Sequence, residues 1–128
     1  MLYYLIYCST ALELMTEGAL KVLLQQARRN NRELVITGLL VYAQGRAGSS
    51  EPARFMQVLE GSRFLVESVF EKIRQDRRHR DIIVIQRAAI QKRNFKTWDM
   101  GFTRVEELPA ADAALDFLMG FYAESHSG

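Results

Sequence analysis

Among the 128 residues there is a single cysteine, Cys8. This excludes an internal disulfide and any zinc site built from several thiolates of one chain. The expected compartment is a reducing cytoplasm. Long apolar runs are missing too: no stretch approaches the roughly 20 residues that cross a bilayer. The opening MLYYLIYCS has no basic n-region and no small-residue cleavage site, so it reads as a first strand and not as a signal peptide. Charge of one sign is scarce, since 17 basic and 15 acidic residues leave a net +2, which gives no argument for a nucleic-acid partner. The one basic run, RQDRRHR at 74–80, could meet phosphates, but cations also suit a solvated helix end. Enzyme motifs are absent: there is no glycine-rich phosphate loop, no HExxH and no nucleophile elbow. No paired carboxylates or metal-ligand cluster stand out. Cys8 with His79 is conceivable as a nucleophile pair, although Cys8 in an apolar strand packs as a small hydrophobe. His126 falls in a frayed terminus.

What is present is the periodicity of one α+β domain, with 48% hydrophobic and 25% charged residues and hence a packed core. Residues 3–8 are short, apolar and aromatic, as a buried strand is. Thr16 is a candidate N-cap, and Leu20, Leu23, Leu24 and Ala27 follow at i, i+3, i+4, i+7, a helix running to about Arg29. Asn30 and Asn31 supply its stop, because asparagine tolerates left-handed backbone. LVITGLLVYA (34–43) is a well-buried strand, QGRAGSSEPA (44–53) a flexible connection, and FMQVLEG (55–61) a returning strand. A second helix from about Arg63 carries Val66, Val69, Phe70 and Ile73 on one stripe. Strands follow at 81–90 and at 95–103 around Trp98. The tail from Pro109 to about Ser125 is a third helix, with proline in its first turn. The order suggests a ferredoxin-like sandwich: a mixed five-stranded sheet with two helices on one face, plus a C-terminal helix. That fold hosts many functions and names none.

Strand alternation sorts the polar residues. Tyr3, Leu5 and Tyr7 share one side of the first strand, and Tyr4, Ile6 and Cys8 the other. Phe55, Gln57 and Leu59 oppose Met56, Val58 and Glu60 in the same way. A ferredoxin-like sheet pairs its first and third strands, so Tyr7 and Gln57 could be hydrogen-bonding neighbours, the phenol donating and the amide accepting. A buried amide bonded to backbone would account for Gln57 alone. Asn30 as a cap, Lys72 with Asp76 as a surface pair, and Trp98 as core are likewise available one at a time. They do not explain why Asn30, Asn31, Lys72, Asp76, Arg78 and His79 all fall near the space between two apolar helices. Trp98 and Met100, two apart, share a side of the last strand.

Taken together, LIYCS (5–9), ARRNN (27–31), ITGLL (36–40), FMQVLEG (55–61), IRQDRRH (73–79) and RNFKTWDMGF (93–102) resemble the BLUF family of blue-light-using flavin sensors. The match runs in order from about residue 2 to 103. It implies a flavin-binding domain over 1–103, a helical extension over 104–128, and an FAD whose ring lies between the two helices. Carried over by position, Tyr7 is the electron donor and Gln57 the amide between it and the flavin. Asn31 holds the edge of the ring with Asn30 beside it. Asp76, Arg78 and His79 line the flavin, Ser9 lies near the donor tyrosine, and Trp98 and Met100 relay the signal. The family mechanism moves an electron and a proton from Tyr7 through Gln57 and leaves the Gln57 amide rotated or tautomerised. Two departures stand out: Val35 replaces the family's usual glycine before ITGLL, and the 44–54 loop is long.

The resemblance further implies a short member without an attached enzyme, signalling through self-association or a separate protein partner. Phe117, off the main stripe of the last helix, is a candidate contact residue. Two other classes stay open on the residues alone. One is a flavin-free oligomeric interaction module on the same fold, and the other a small hydrolase in the manner of acylphosphatases, with an Arg and Asn around a phosphate.

Overall fold

A computed structural model describes residues 2–44, 52–95 and 100–105, together with 113, 115, 116, 119, 120 and 122. The elements are β1 (Leu2–Ala11), α1 (Glu17–Leu34), β2 (Thr37–Ala43), β3 (Arg54–Ser62), α2 (Arg63–Arg74), β4 (His79–Ile90) and β5 (Gly101–Val105). They form one five-stranded sheet in the order β4-β1-β3-β2-β5, antiparallel except for the β2–β5 pair. This is the expected ferredoxin-like arrangement. It makes β1 and β3 central neighbours in a register that sets Tyr7 opposite Gln57.

Both faces of the central strands are buried, which is why their sequences are nearly continuous apolar runs. Tyr3, Leu5, Tyr7, Phe55 and Leu59 pack with Leu20 and Leu24 of α1 and Val66 and Phe70 of α2. Tyr4, Ile6, Cys8, Met56 and Val58 form a second layer with Ile90, Phe95 and Tyr122. The alternation read from the sequence is therefore the division between the two layers.

Helix starts follow the capping rule. Thr16 and Ser62 have extended backbone and accept from the N–H of Ala19 and Leu65, at 3.0 and 3.3 Å, which satisfies donors the first turn leaves free. The end of α1 differs from the sequence reading. Asn30 and Asn31 do not terminate it; the helix runs on to Leu34 and ends at Val35, which is left-handed with φ 54°. Arg32, Glu33 and Leu34 are adequate helix formers, and Asn31 is 2% exposed within the helix. Burial of Asn31 outweighs asparagine's local preference for a cap.

β5 begins at Gly101, later than expected, and Asn94 and Phe95 are instead held by Glu60 of β3. Trp98, Phe117 and positions 45–51 of the long connection lie outside the described residues. Of the expected C-terminal helix, Ala113, Leu115, Asp116, Met119, Gly120 and Tyr122 are helical. No helix among the described residues is long and apolar enough to cross a membrane.

Candidate functional site

α1, α2 and the sheet enclose a cavity of about 310 Å³, at the lower end of small-molecule sites, which run from about 300 to 1,000 Å³. Leu23, Ala27 and Leu34 of α1 form one wall and Val69 and Ile73 of α2 the other; Leu40, Phe55, Tyr7 and Gln57 come from the sheet. Gln26, Asn30, Glu33, Lys72, Asp76, Arg78 and His79 bring the polar groups. The apolar walls follow from the i, i+3, i+4 stripes of the two helices.

At the sheet, the Tyr7 hydroxyl donates to Gln57 Oε1 at 2.5 Å. Tyr7 is 3% and Gln57 4% exposed, so the bond forms where water does not compete. Burial pushes the Tyr7 phenol well above its ordinary value, and the charge of Asp76 and the Cys8 thiol add to the effect. The phenol is thus held protonated and aimed at the amide. The other end of that amide, Nε2, donates to Met100 Sδ at 3.4 Å. A thioether is a weak acceptor, and the amide nitrogen carries a second hydrogen. Met100 is 2% exposed, and its backbone carbonyl accepts from Arg28 Nε of α1 at 3.0 Å.

His79 opens β4 with both ring nitrogens engaged. Nε2 lies 2.6 Å from the Ile73 carbonyl and Nδ1 2.7 Å from Ser9 Oγ. A carbonyl can only accept, so Nε2 carries the proton, and in the neutral ring Nδ1 accepts from the Ser9 hydroxyl. Ser9 therefore acts by fixing the imidazole, which meets the Phe55 ring edge-on at 6.2 Å. Asp76 lies just past the end of α2. It takes the Arg78 backbone N–H at 2.9 Å and forms a fork with the Arg78 guanidinium. Arg78 holds the Asp76 carboxyl below the usual carboxylate range, and Asp76 in turn raises Arg78. The basic run 74–80 is thus partly neutralised, with Arg74 also paired to Glu71 at 3.2 Å.

The two asparagines part company. Asn30 lines the cavity, whereas Asn31 is buried and is not among its lining residues. Its backbone carbonyl accepts from Ile36 N–H at 2.8 Å. Of the other sequence-derived candidates, Tyr7, Gln57, Asp76, Arg78 and His79 converge on the cavity, Ser9 touches it through His79, and Met100 through Gln57. Sequence reasoning passed over Gln26, whose side chain accepts from Arg78 Nη1 at 3.5 Å. Its position on the Leu23 and Ala27 face of α1 was the available signal.

A slot with aliphatic walls, an amide on the sheet and further amide and charged groups around it suits a flat, polar-edged heteroaromatic ring. Gln57 can give such a ring one N–H while Tyr7 fills its oxygen. The residues present therefore fit a flavin.

Comparison with known proteins agrees. The family model described as BLUF, sensors of blue-light using FAD, matches residues 2–101. Photoactivated adenylate cyclase subunit beta of Euglena longa is 33% identical over 122 residues, covering 94% of this chain and 13% of that protein. The chain thus spans about an eighth of the length of that curated relative. Among solved structures, the dark state of BlrB, a BLUF protein, is 32% identical with a TM-score of 0.70, covering 91% of this chain and 83% of that one. Klebsiella pneumoniae BlrP1 with FMN and cyclic diGMP is 32% identical with a TM-score of 0.67, covering 94% of this chain and 30% of that one. With the family model matched over most of its length and this fold beneath it, the chain belongs to the BLUF family.

Proposed function

We propose that this chain is a blue-light photoreceptor that binds FAD between α1 and α2, with residues 1–103 as the sensing domain and 104–128 as the signalling extension. The observation that carries the reading is the buried Tyr7–Gln57–Met100 chain: a phenol donor, an amide that can exchange its ends, and a weak acceptor, at the wall of an apolar slot.

When bound, a flavin supplies a photoexcited electron acceptor. The protein supplies the rest. With the flavin bound, Tyr7 would lend it an electron and pass its proton along the 2.5 Å bond to Gln57 Oε1, and both would return to Tyr7 when the separated charges recombine. In between, the amide rotates or tautomerises, presenting oxygen where nitrogen was. An amide suits this because its two ends are a donor and an acceptor of similar shape; an ionised glutamate could only accept. Asn30, which lines the slot, holds the polar edge of the ring, and Asn31, buried beside it, would need to turn toward the slot to share that role. Asp76, Arg78 and His79 line it from the α2 side, with Ser9 fixing the His79 tautomer. Trp98 and Met100 carry the altered hydrogen bonding outward. The output is protein contact, through a homo-oligomer and a separate downstream partner in the cytoplasm, with no catalysis by these 128 residues.

Visible absorption of the purified protein before and after blue light tests this. A flavin spectrum that shifts slightly to the red and recovers in the dark is expected, with FAD released on denaturation. Gln57→Leu should keep the flavin and lose the shift. Protein that stays colourless after FAD is supplied, yet is folded by circular dichroism, would favour the flavin-free interaction module. A flavin-loaded Gln57→Leu variant that still shifts would remove the amide from the mechanism.

A further inference from the structure

Met100 is held at two points. Its Sδ accepts from Gln57 Nε2 at 3.4 Å, and its backbone carbonyl accepts from Arg28 Nε at 3.0 Å. The parallel pairing of β5 with β2 starts one residue later, at Gly101 opposite Leu39, and β5 is the edge of the sheet. Met100 thus precedes the first pair of the ladder, and the Arg28 side chain supplies a tie at that point. Arg28 directly follows Ala27, which lines the slot, and reaches Met100 from α1 across 72 residues of sequence.

This tie bears on the direction of the Gln57 amide. A thioether accepts weakly and never donates. Met100 Sδ at that place therefore favours the orientation in which Nε2 faces it and Oε1 takes the Tyr7 hydrogen. With the amide reversed, an oxygen faces the sulfur, and two acceptors meet with no hydrogen between them. How far that penalises the reversed form depends on whether Met100 can back away. At 2% exposure its side chain has little room to change rotamer in a packed interior. Retreat then requires the Met100 backbone to move, and the Arg28 bond resists that movement.

We propose that Arg28 is a positioning residue that holds Met100 against Gln57 and thereby shortens the life of the light state. The inference rests on the photoreceptor reading above. In the dark the held sulfur accepts from Nε2. In the light it opposes the reversed amide and favours its return. What the tie requires is one N–H at the reach of Nε, and the positive charge is incidental. Glutamine carries an N–H the same number of bonds from the backbone, whereas leucine carries none.

Dark recovery of the flavin-loaded full chain after a blue-light pulse, followed by absorption, tests this in Arg28→Leu and Arg28→Gln. Arg28 is exposed, so neither change opens a cavity in the core. Arg28→Leu is expected to keep the red shift and to recover about 2- to 10-fold more slowly, the factor that one hydrogen bond is worth. Arg28→Gln should recover at the rate of the unaltered protein. Unchanged or faster recovery in Arg28→Leu, or a slowing that Arg28→Gln does not reverse, would overturn the inference and leave the photoreceptor reading standing. In a Met100→Leu background, which has no sulfur at that place, Arg28→Leu should add no further slowing. A full further slowing there would overturn Met100 as the residue through which Arg28 acts. The same tie is readable without flavin or light, from the Met100 methyl resonance of protein isotope-labelled at its methionines. That signal should move in Arg28→Leu and return in Arg28→Gln, and a signal unmoved by Arg28→Leu would overturn the tie. No red shift in the unaltered flavin-loaded protein would overturn the photoreceptor reading and the effect on lifetime with it.

Discussion

Tyr7 and Gln57 stand directly opposite each other on the central strand pair, and the phenol donates to the amide oxygen at 2.5 Å. Their placement comes from backbone register, with side-chain length closing the remaining gap. The polar pair sits in a layer of aliphatic and aromatic side chains, and at 3% and 4% exposure neither member has bulk water as an alternative partner.

Removing the Tyr7 hydroxyl therefore has two separable effects. Tyr7→Phe leaves Gln57 Oε1 without its donor in a buried site, a loss of about 1–3 kcal/mol of stability. The same change removes the proton and the accessible electron. The variant is expected to bind flavin, show no light-induced absorption shift and melt at lower temperature. A retained shift on illumination would exclude Tyr7 as the donor.

How far this was legible in the sequence depends on the range of the interaction. The Tyr7 and Gln57 faces follow from period-2 alternation, and their adjacency from the topology, so both were readable. The end of α1 was not. Asn30 and Asn31 offer a local cap, but the competing effect is the burial of Asn31, which no window around it reveals. Glu60 reads locally as the polar close of a strand. Only its place on the Met56 and Val58 face hinted at burial, and its partners lie 23, 34, 35 and 62 residues away. The His79 contact with Ser9, 70 residues distant, was invisible for the same reason.

Val35 ends α1 in the left-handed region at φ 54° and is 66% exposed. Its β-carbon clashes with the following carbonyl there, at a cost of about 1–2 kcal/mol, while its side chain gains little from packing. Glycine removes that clash but is freer in the unfolded chain, by about 0.5–1 kcal/mol. Val35→Gly is expected to stabilise by about 1 kcal/mol, or about 3–6 °C in Tm. Val35→Ala, which keeps the β-carbon, should change little. Thermal melts of the two variants check the contrast.

Gly38 works the other way. A β-carbon added there would lie 1.8 Å from the Val58 carbonyl oxygen and 2.8 Å from its carbon. The obstacle is backbone of the paired strand, so no side-chain rotation relieves it. Gly38 also pairs with Leu59 in the β2–β3 register, two residues from Gln57. Gly38→Ala is expected to destabilise by more than about 3 kcal/mol and to yield little folded, flavin-binding protein. A soluble variant with an unchanged melt would refute the close approach.

The buried tyrosines predict how the fold responds to alkali. Burial pushes the phenol of Tyr4 up to about 12 and those of Tyr7 and Tyr122 higher still, the last with Glu60's charge adding. All start from an ordinary value of 10.0. Below pH 10 native and unfolded chains are both protonated at these sites, and stability is indifferent to them. Above it the unfolded chain releases protons that the native one keeps, so unfolding becomes easier as pH rises. Each such phenol contributes about 1.4 kcal/mol per pH unit, and the three together about 4. Urea unfolding followed from pH 8 to 12 should be flat to about pH 10 and then fall steeply. Tyr122→Phe should lower that slope by about a third. A stability curve that stays flat to pH 12 would mean that these phenols ionise in the native state and are not sealed from water.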